Sequence, residues 1–571
     1  MKHLQCFRRI GLSGSTVAKY SNKPLKELVI PKLQNNSIRN VSSSSIKKKS
    51  GSRKGPFDRF FTLPMLTAGI LLSFLLDRET LFSDSIPHIP VEEVAKHSTI
   101  DDCWIVIDGK VYDVSKLLAV HPGGVARIFK VAGSDATDEF RNIHSVDVLE
   151  KMLPFVTYLG ELIGEFEVKV SEEDVRIANN MANKPPLSEI FSLSDFSYVA
   201  KAILPESTYY YFATGSTDEF TLRENHYAYS RVFFRPKVLQ NISFNSDTST
   251  DFMGSKVSLP VYITAFAGSK YAHPLGERNL QRAAYNANVM QMVPKQCSYT
   301  PKEFFDEVPS NQNQWCQFHF DNVEELENYE NILKEMETRP SVKGIFINVD
   351  LASIGNREKD RRSRIKDDAG AAALSGIVPG EKYFAPLNWS HIEKMIAATR
   401  LPIALKGVQR GEDVVIAAEK GVKGVVLSNH GGRQLDFSRP TLEVLVEAKN
   451  MLKEKNLENK IDIFLDGGVS RGSDVVKALC LGAKGVGLGR PFLYAMAGYG
   501  EEGVSKLLDI LRKEVKVNMS LLGVDKIEDL TEDLVDTTNL KFRSPVVSDR
   551  LYDKAYHGLE FPRFRNLDVN A

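Results

Sequence analysis

The sequence predicts an α/β protein in which a large parallel (β/α)8 barrel follows a small α+β domain. Three observations support this prediction. The chain has 571 residues, which is more than one domain usually holds. After residue 187, short apolar runs alternate with helical stretches. Before residue 165, a hairpin signal and two spaced histidines form a different pattern.

The composition excludes several classes of protein. Lys plus Arg and Asp plus Glu both number 73, so the net charge is zero and nothing overall favours nucleic acid. Hydrophobic residues make up 43%, which suits a globular core. The cysteines are odd in number and scattered without a CxxC pair, so neither a disulfide framework nor a zinc site is predicted. They are Cys6, Cys103, Cys297, Cys316 and Cys480.

The N-terminus has the composition of a targeting segment. Residues 1–54 carry thirteen Lys or Arg against one acid, Glu27, as mitochondrial transit peptides do. Phe60–Leu76 is an uncharged run that barely reaches bilayer length. It fits either a permanent inner-membrane anchor or a sorting signal that is later removed. The order of the two segments favours the mitochondrial intermembrane space and a mature form that does not span a membrane. Residues 1–84 are therefore set apart from the fold as a presequence.

Residues 86–164 carry a pattern of their own, which differs from that of the barrel. Asp108-Gly109 lies between two apolar runs and is a strong two-residue hairpin signal. His121-Pro122-Gly123-Gly124 follows, and His144 stands 23 residues after His121. Two neutral imidazoles can fill both axial positions of a haem iron, which then carries electrons. This order of features resembles the cytochrome b5 domain, and the absence of CxxCH indicates a non-covalent haem b.

Residues 165–187 predict a hinge between two separately folded bodies. Glu165–Asp174 is rich in charge, and Lys184-Pro185-Pro186 interrupts any helix.

Residues 188–545 predict a TIM barrel, followed by a C-terminal tail at 546–571. Eight βα units in about 300 residues match the usual size of that barrel. The segment Gly485–Gly489 lacks GxGxxG spacing, so a Rossmann fold is rejected. The candidate strands are Pro260–Ala265, Val289–Val293, Trp315–Phe320, Gly344–Val349, Pro402–Lys406, Gly424–Leu427, Ile461–Leu465 and Gly485–Leu488.

The most informative segment is Ser428–Asp436, which directly follows a candidate strand. His430 is suited to proton transfer near neutral pH, and Arg433 offers a planar fork for a carboxylate. The glycines between them predict a close approach of the backbone to a flat ligand. Other polar residues also stand at strand ends, where such barrels carry their function. They are Gln317, Asp350, Lys406 and Asp466-Gly467-Gly468.

These motifs resemble the FMN-dependent α-hydroxy acid dehydrogenase family over residues 187 to about 540. The motifs are Arg223-Glu224-Asn225-His226, Asn348-Val349-Asp350, Gly355–Asp360, Leu405-Lys406-Gly407, Ser428–Asp436, Asp466–Gly472 and Gly487–Pro491.

The resemblance implies a role for each site residue. His430 is the base, Asp350 orients it and stabilises the imidazolium, and Arg433 with Tyr211 binds the substrate carboxylate. Lys406 faces the N1–O2 edge of the flavin. The flavin ring is held by Gln317 and by Thr264, Ala265, Phe266 and Ala267, and the phosphate by Gly468, Gly489 and Arg490. Asp466 and Gly467 are the other expected cofactor-binding residues.

The pocket wall departs from the family pattern. His319 stands where a tyrosine usually contacts the substrate hydroxyl, and Gln296 replaces the leucine of lactate-specific members. Pro294 and Asn348 replace hydroxyl residues near the flavin, and Ser470 replaces the first arginine of the phosphate loop. A longer or polar L-2-hydroxy acid is therefore predicted to be a better substrate than L-lactate.

The prediction for the whole chain is an L-2-hydroxy acid dehydrogenase containing FMN and haem b. It oxidises L-lactate or a related acid to the 2-oxo acid, and electrons pass from FMN to haem and then to cytochrome c. The resemblance also implies a homotetramer. Two alternatives stay open: a haem/flavin electron-transfer protein that no longer turns over lactate, and an FMN barrel of the isomerase type, against which the His430–Arg433 segment argues.

Overall fold

A computed structural model describes the part of the chain that carries the two predicted domains. The predicted presequence at 1–84, including Phe60–Leu76, and the tail at 546–571 lie outside the described residues. Among the described helices, none combines the length and apolarity needed to span a bilayer. The described residues are 86–121, 125–141, 144, 148–151, 155–166, 171–242, 246–366 and 384–542.

The N-terminal part contains a four-stranded sheet in the order β1-β4-β3-β2. Ile107 pairs with Lys110 across a two-residue turn in which Asp108 (φ 54°) and Gly109 (φ 75°) are both left-handed. That geometry is the type I′ turn that Asp-Gly favours, so the predicted hairpin is confirmed. The strands are β1 (His88–Pro90), β2 (Trp104–Ile107), β3 (Lys110–Asp113) and β4 (Thr157–Ile163), and the helices are α1 (Val91–Val94), α2 (Val125–Phe129), α3 (Thr137–Arg141) and α4 (Val148–Lys151).

The predicted hinge contains a helix, α5 (Glu172–Ala182), that is bound to the following helices. Arg176 donates to the backbone oxygens of Ala202 (2.6 Å) and Leu204 (3.1 Å), at the end of α6 (Leu193–Ile203). Glu173 accepts the backbone N–H of Glu206, the first residue of α7 (Glu206–Ala213), at 2.7 Å. Helix α5 therefore supplies partners to backbone groups that the two helix ends leave without intrahelical bonds.

The predicted barrel is confirmed as a closed ring of eight parallel strands. All eight candidate segments coincide with strands, with bounds that differ by at most a few residues. The barrel strands are β5 (Val261–Ile263), β6 (Met290–Pro294), β7 (Gln314–Phe318), β8 (Val342–Asn348), β9 (Ile403–Val408), β10 (Gly424–Leu427), β11 (Asp462–Asp466) and β12 (Gly485–Leu488).

Helices surround the barrel because the strands present apolar side chains outward as well as inward. The last helix bends at Tyr499 and Gly500, whose backbone angles are not helical. The remaining helices are α8 (Phe220–Ser230), α9 (Glu277–Ala287), α10 (Pro301–Phe305), α11 (Val323–Glu327), α12 (Tyr329–Glu337), α13 (Glu358–Lys366), α14 (Trp389–Ala398), α15 (Gly411–Glu419), α16 (Thr441–Glu454), α17 (Gly472–Cys480) and α18 (Arg490–Leu522).

Aromatic side chains fill the barrel near the N-terminal ends of the strands. Trp315 is fully buried and contacts Phe252, Phe346 and Phe464, with ring centroids 4.6–5.7 Å apart. Phe252 belongs to a hairpin of two short strands, Thr250–Phe252 and Ser255–Val257, that closes this end. Because this end is packed, polar side chains for a ligand collect at the opposite, C-terminal end of the strands.

We expect Arg176→Ala to lower the free energy of unfolding of the barrel by about 1–3 kcal/mol, because carbonyls at the end of α6 lose a charged donor. The melting temperature measured by calorimetry is the readout. Lys334→Ala is the matched control, since Lys334 makes only an exposed pair with Glu330 and should change stability by less than about 0.5 kcal/mol. Equal melting temperatures for the two variants would contradict the expectation.

Candidate active site

The loop after strand β10 has an unusual backbone. His430 (φ 60°), Gly431 (φ 63°) and Gly432 (φ 77°) are left-handed in succession, a conformation that a non-glycine residue adopts at an energetic cost. A Cβ on Gly432 would lie 2.7 Å from the backbone of Leu222 in α8. Close packing against a helix explains why residue 432 is a glycine. The sequence predicts a different reason, which is the approach of the backbone to a flat ligand.

His430 forms a dyad with Asp350. The Nδ1 atom of His430 lies 3.1 Å from Oδ2 of Asp350, which follows strand β8 and whose side chain is 3% exposed. Burial alone would raise the pKa of Asp350, but His430 and Lys406 outweigh it and hold the pKa below its usual value. Burial lowers the pKa of His430, although Asp350 opposes that effect. His430 is therefore poised as a neutral base whose Nδ1–H donates to Asp350 and whose Nε2 carries the lone pair.

The carboxamide of Gln434 joins the two loops that carry this dyad. Its Nε2 donates to the backbone oxygens of Asp350 (2.7 Å) and Ser353 (2.8 Å), and its Oε1 accepts from the N–H of Gly355 (3.0 Å). Gln434 is buried, so these bonds are shielded from competing water.

Lys406 projects from strand β9 into a buried ion pair. Its Nζ lies 3.3 Å from Oδ2 of Asp466, and the two side chains are 5% and 7% exposed. Ser428 bridges the pair, since it donates to Asp466 Oδ1 at 2.6 Å and accepts from Lys406 Nζ at 3.3 Å. Asp466, which the sequence assigns to the cofactor site, thus has its carboxylate directed at the lysine.

Two guanidinium groups cap the C-terminus of helix α7. Arg433 Nη1 donates to the carbonyl oxygens of Tyr211 (2.7 Å), Phe212 (3.2 Å) and Thr214 (3.2 Å). Arg490 donates from Nε to Phe212 and from Nη2 to Thr214. Cations at a helix C-terminus are stabilised by its unpaired carbonyls and its dipole. Burial lowers the pKa of both arginines, so these carbonyls are needed to hold them charged in place.

The predicted pocket wall is polar. His319 follows strand β7; its side chain is 11% exposed and its Nε2 lies 3.6 Å from Asp321 Oδ1. Lys295 joins the ends of β6 and β7, because its Nζ donates to the backbone oxygen of His319 (3.0 Å) and to Asp321 Oδ2 (2.7 Å). Gln296 is exposed and lines the same cavity as His319.

The predicted cofactor residues line one cavity. Two polar atoms in its lining residues, Thr264 Oγ1 and Asn348 Oδ1, are buried without a hydrogen-bond partner, as expected where a polar ligand completes the site. Beside the phosphate region, His226 Nδ1 lies 3.1 Å from Ser470 Oγ. The residues that line this cavity fit FMN. The lining includes Thr264, Ala265, Phe266, Ala267, Gln317, Lys406, Asp466, Gly467, Gly468, Gly489 and Arg490, and also Tyr211, Gln296, His319, His430 and Arg433.

His121 and His144 face each other in the N-terminal domain. Their ring centroids are 6.0 Å apart, which leaves room for an iron bound at about 2 Å by one nitrogen of each ring. Burial lowers the pKa of His144 to about 4, so its imidazole is neutral as a ligand must be. Apolar side chains line the space around the two histidines, and this arrangement fits a haem. These side chains are Ile105, Val114, Leu117, Ile128, Phe140, Leu149 and Val156.

Comparison with known families agrees with both sites. A model described as FMN-dependent dehydrogenase matches residues 200–537, and one described as cytochrome b5-like heme/steroid binding domain matches residues 90–163. The first match covers more than half of the chain, which therefore belongs to the FMN-dependent dehydrogenase family. It is an oxidoreductase whose cofactors are FMN and haem.

Two similar proteins align over most of the chain, and a solved domain aligns over a large part of it. The L-lactate dehydrogenase (cytochrome) of Wickerhamomyces anomalus is 43% identical over 515 residues, 86% of this chain and 88% of that protein. The protein of the same name from Saccharomyces cerevisiae is 42% identical over 517 residues, 86% of this chain and 87% of that protein. The flavin-binding domain of baker's yeast flavocytochrome b2 has a TM-score of 0.61 at 43% identity, covering 70% of this chain and 100% of that domain.

Three residues of the site were missed by the sequence interpretation. The charge of Arg357 lowers the pKa of both His430 and Arg433, so it lies close to the dyad. Ser428 and Gln434 hold the loops together through hydrogen bonds to Asp466 and to the backbone at Asp350 and Ser353. All three stand inside the quoted motifs, but only their contacts in space separate them from neighbouring residues with structural roles.

We expect His121→Ala and His144→Ala each to abolish the low-spin spectrum of a b-type haem, because a single imidazole leaves one axial position open. Absorption spectra of the purified full chain test this, and reduction of the flavin by substrate serves as the internal control. His97→Ala is a matched variant in the same domain, since His97 stacks on Trp104. A haem spectrum unchanged in both ligand variants would exclude the assignment.

Proposed function

We propose that this chain oxidises an L-2-hydroxy acid, L-lactate or a related acid, to the 2-oxo acid and passes the electrons to cytochrome c. The His430–Asp350 dyad carries the proposal, because it stands among buried cations at the C-terminal mouth of an FMN-family barrel. The relatives named L-lactate dehydrogenase (cytochrome) support the reaction class.

In the proposed mechanism, His430 accepts the proton from the substrate at Nε2. Asp350 holds the imidazole in the tautomer that leaves Nε2 free, and it stabilises the imidazolium once the proton has moved. Arg433, anchored through Nη1 to the α7 carbonyls, presents its guanidinium to the substrate carboxylate, and Tyr211 adds a hydrogen bond. When bound, FMN supplies a two-electron acceptor and haem a one-electron carrier.

The cofactor residues keep their predicted roles in this proposal. Lys406 would face the edge of a bound flavin on which negative charge develops. Gln317 and the residues from Thr264 to Ala267 would hold the ring, and Gly468, Gly489 and Arg490 would hold the phosphate. The buried, unpartnered oxygens of Thr264 and Asn348 support a polar ring in this space.

Electron transfer to a basic partner is supported by the charge of the haem domain. Residues 86–164 contain twelve Asp or Glu against seven Lys or Arg. Asp135, Asp138 and Glu139 are exposed on the segment that leads to His144. An acidic surface near a haem attracts a basic carrier protein such as cytochrome c and accelerates its association.

The cellular setting is part of the same proposal. The basic residues at 1–54 and the short apolar run Phe60–Leu76 favour the mitochondrial intermembrane space, where cytochrome c resides. We also propose a homotetramer, on the basis of family membership.

The dyad leads to a pH prediction. His430 must be neutral to act as a base, so activity is lost as the pH falls through its pKa. Asp350→Asn removes the negative charge that raises this pKa, so the acidic limb of kcat/KM should move to lower pH. The plateau should fall by about 10²–10⁴-fold, because the imidazolium loses its partner.

A profile of kcat/KM against pH on the full chain makes this measurement. Asp462→Asn is the control, since Asp462 begins strand β11 at the opposite end of the barrel and should leave the acidic limb in place. An acidic limb that stays fixed or moves to higher pH in Asp350→Asn would contradict the role of the dyad.

The pocket wall leads to a substrate prediction, which also tests the function. An amide that faces a methyl group without a partner costs about 1–3 kcal/mol. We therefore expect Gln296 to disfavour L-lactate, and longer or polar L-2-hydroxy acids to give the higher kcat/KM.

The experiment measures flavin bleaching and kcat/KM for a panel of L-2-hydroxy acids, with wild type and with Gln296→Leu, which should shift the preference towards lactate. If no acid in the panel bleaches the flavin, the chain is instead an electron-transfer protein without this activity. If lactate is preferred and the variant changes nothing, the pocket argument is wrong. Because Gln296 is exposed, its amide would in that case turn to solvent and not face the substrate.

A further inference from the structure

One serine links the buried lysine of the cofactor site to the loop that carries the base. Ser428 is 0% exposed and directly follows strand β10. Its Oγ donates to Asp466 Oδ1 at 2.6 Å, and it accepts from Lys406 Nζ at 3.3 Å and from the backbone N–H of His430 at 3.0 Å. A hydroxyl has one hydrogen to donate and two lone pairs, so these three bonds use its full capacity.

We propose that Ser428 is a positioning residue that acts through Asp466 to set the positive charge that Lys406 presents to the flavin. This inference rests on the proposed function, which places Lys406 beside the flavin. Asp466 Oδ2 lies 3.3 Å from Lys406 Nζ, and both side chains are buried. At this distance in a medium of low dielectric constant, the carboxylate strongly opposes the field of the ammonium.

The hydrogen that Ser428 donates reduces the opposition from Asp466. A short hydrogen bond to a carboxylate disperses its negative charge, so less of it acts on Lys406 and on the space beyond. Reduction of a flavin adds negative charge, which a nearby cation stabilises. Loss of the hydroxyl should therefore make reduction of the flavin less favourable, whereas loss of the carboxylate charge should make it more favourable.

The same hydroxyl supports the strained backbone of the base. His430 has a φ of 60°, and its N–H is satisfied by Ser428 Oγ. A buried N–H without an acceptor is unfavourable, so the serine helps to keep this loop in its left-handed conformation. One side chain thus holds the base and tunes the cofactor site.

The test uses the full chain loaded with FMN and haem, reduced chemically in equilibrium with a reference dye. The flavin band is followed after subtraction of the haem spectrum. At a fixed dye potential, Ser428→Ala should raise the ratio of oxidised to reduced flavin by at least about threefold, in line with the loss of one hydrogen bond to a charged group. Asp466→Asn should lower the same ratio.

Thr441→Val is the matched control. Thr441 Oγ1 donates to the backbone oxygen of Asp466 at 2.7 Å, so this variant removes a buried hydroxyl that holds the same residue without touching its carboxylate. The ratio of oxidised to reduced flavin in Thr441→Val should equal that of wild type. A shift in Thr441→Val as large as in Ser428→Ala, or no shift in Ser428→Ala, overturns the proposal.

Two further outcomes are decisive. If Ser428→Ala does not retain FMN, Ser428→Cys takes its place, because a thiol is a weaker donor at the same position. An unchanged or lowered ratio in Ser428→Cys overturns the proposal. Because the reductant is chemical, the experiment does not depend on turnover of a hydroxy acid. Absence of substrate turnover with the expected shifts present would refute the proposed function and leave the coupling of Ser428, Asp466 and Lys406 intact.

Discussion

The structure of the site depends on how the barrel holds several cations in a buried space. Arg433 and Arg490 are stabilised by the carbonyls at the end of helix α7, and Lys406 by Asp466. Without these partners, burial of like charges would cost several kcal/mol for each group. Helix α7 is therefore part of the site although it lies outside the barrel, and α5 contributes through Glu173, which binds the first N–H of α7.

The loop after strand β10 connects these cations to the base. Asn429 forms a reciprocal amide pair with Asn225 of helix α8 at 2.7 and 2.8 Å, and Asp436 accepts the N–H of Thr221 at the start of the same helix. With Ser428 and Gln434, these contacts hold both ends of the loop. A left-handed backbone at His430 persists because the surroundings over-determine it.

The charges around the dyad favour a neutral imidazole beside an ionised carboxylate. Burial and the positive charges of Lys406 and Arg357 act together to lower the pKa of His430, while Asp350 opposes them. The result is a neutral imidazole with a carboxylate beside it, which is what the proposed proton transfer requires. The haem domain uses simpler means, because apolar walls surround two facing imidazoles that would hold the iron of a bound haem.

The sequence by itself determined the barrel, the hairpin domain and the residues at the strand ends. This was possible because strand period, turn chemistry and the position of a residue after a strand are local properties, as His430 and Asp-Gly at 108–109 illustrate. Tertiary structure alone decided that Asp466 faces Lys406, that Gly432 packs on Leu222, and that α5 within the predicted hinge binds α6 and α7. These contacts join residues far apart in the chain, and their partners are chosen by packing and charge in space, which no local pattern encodes.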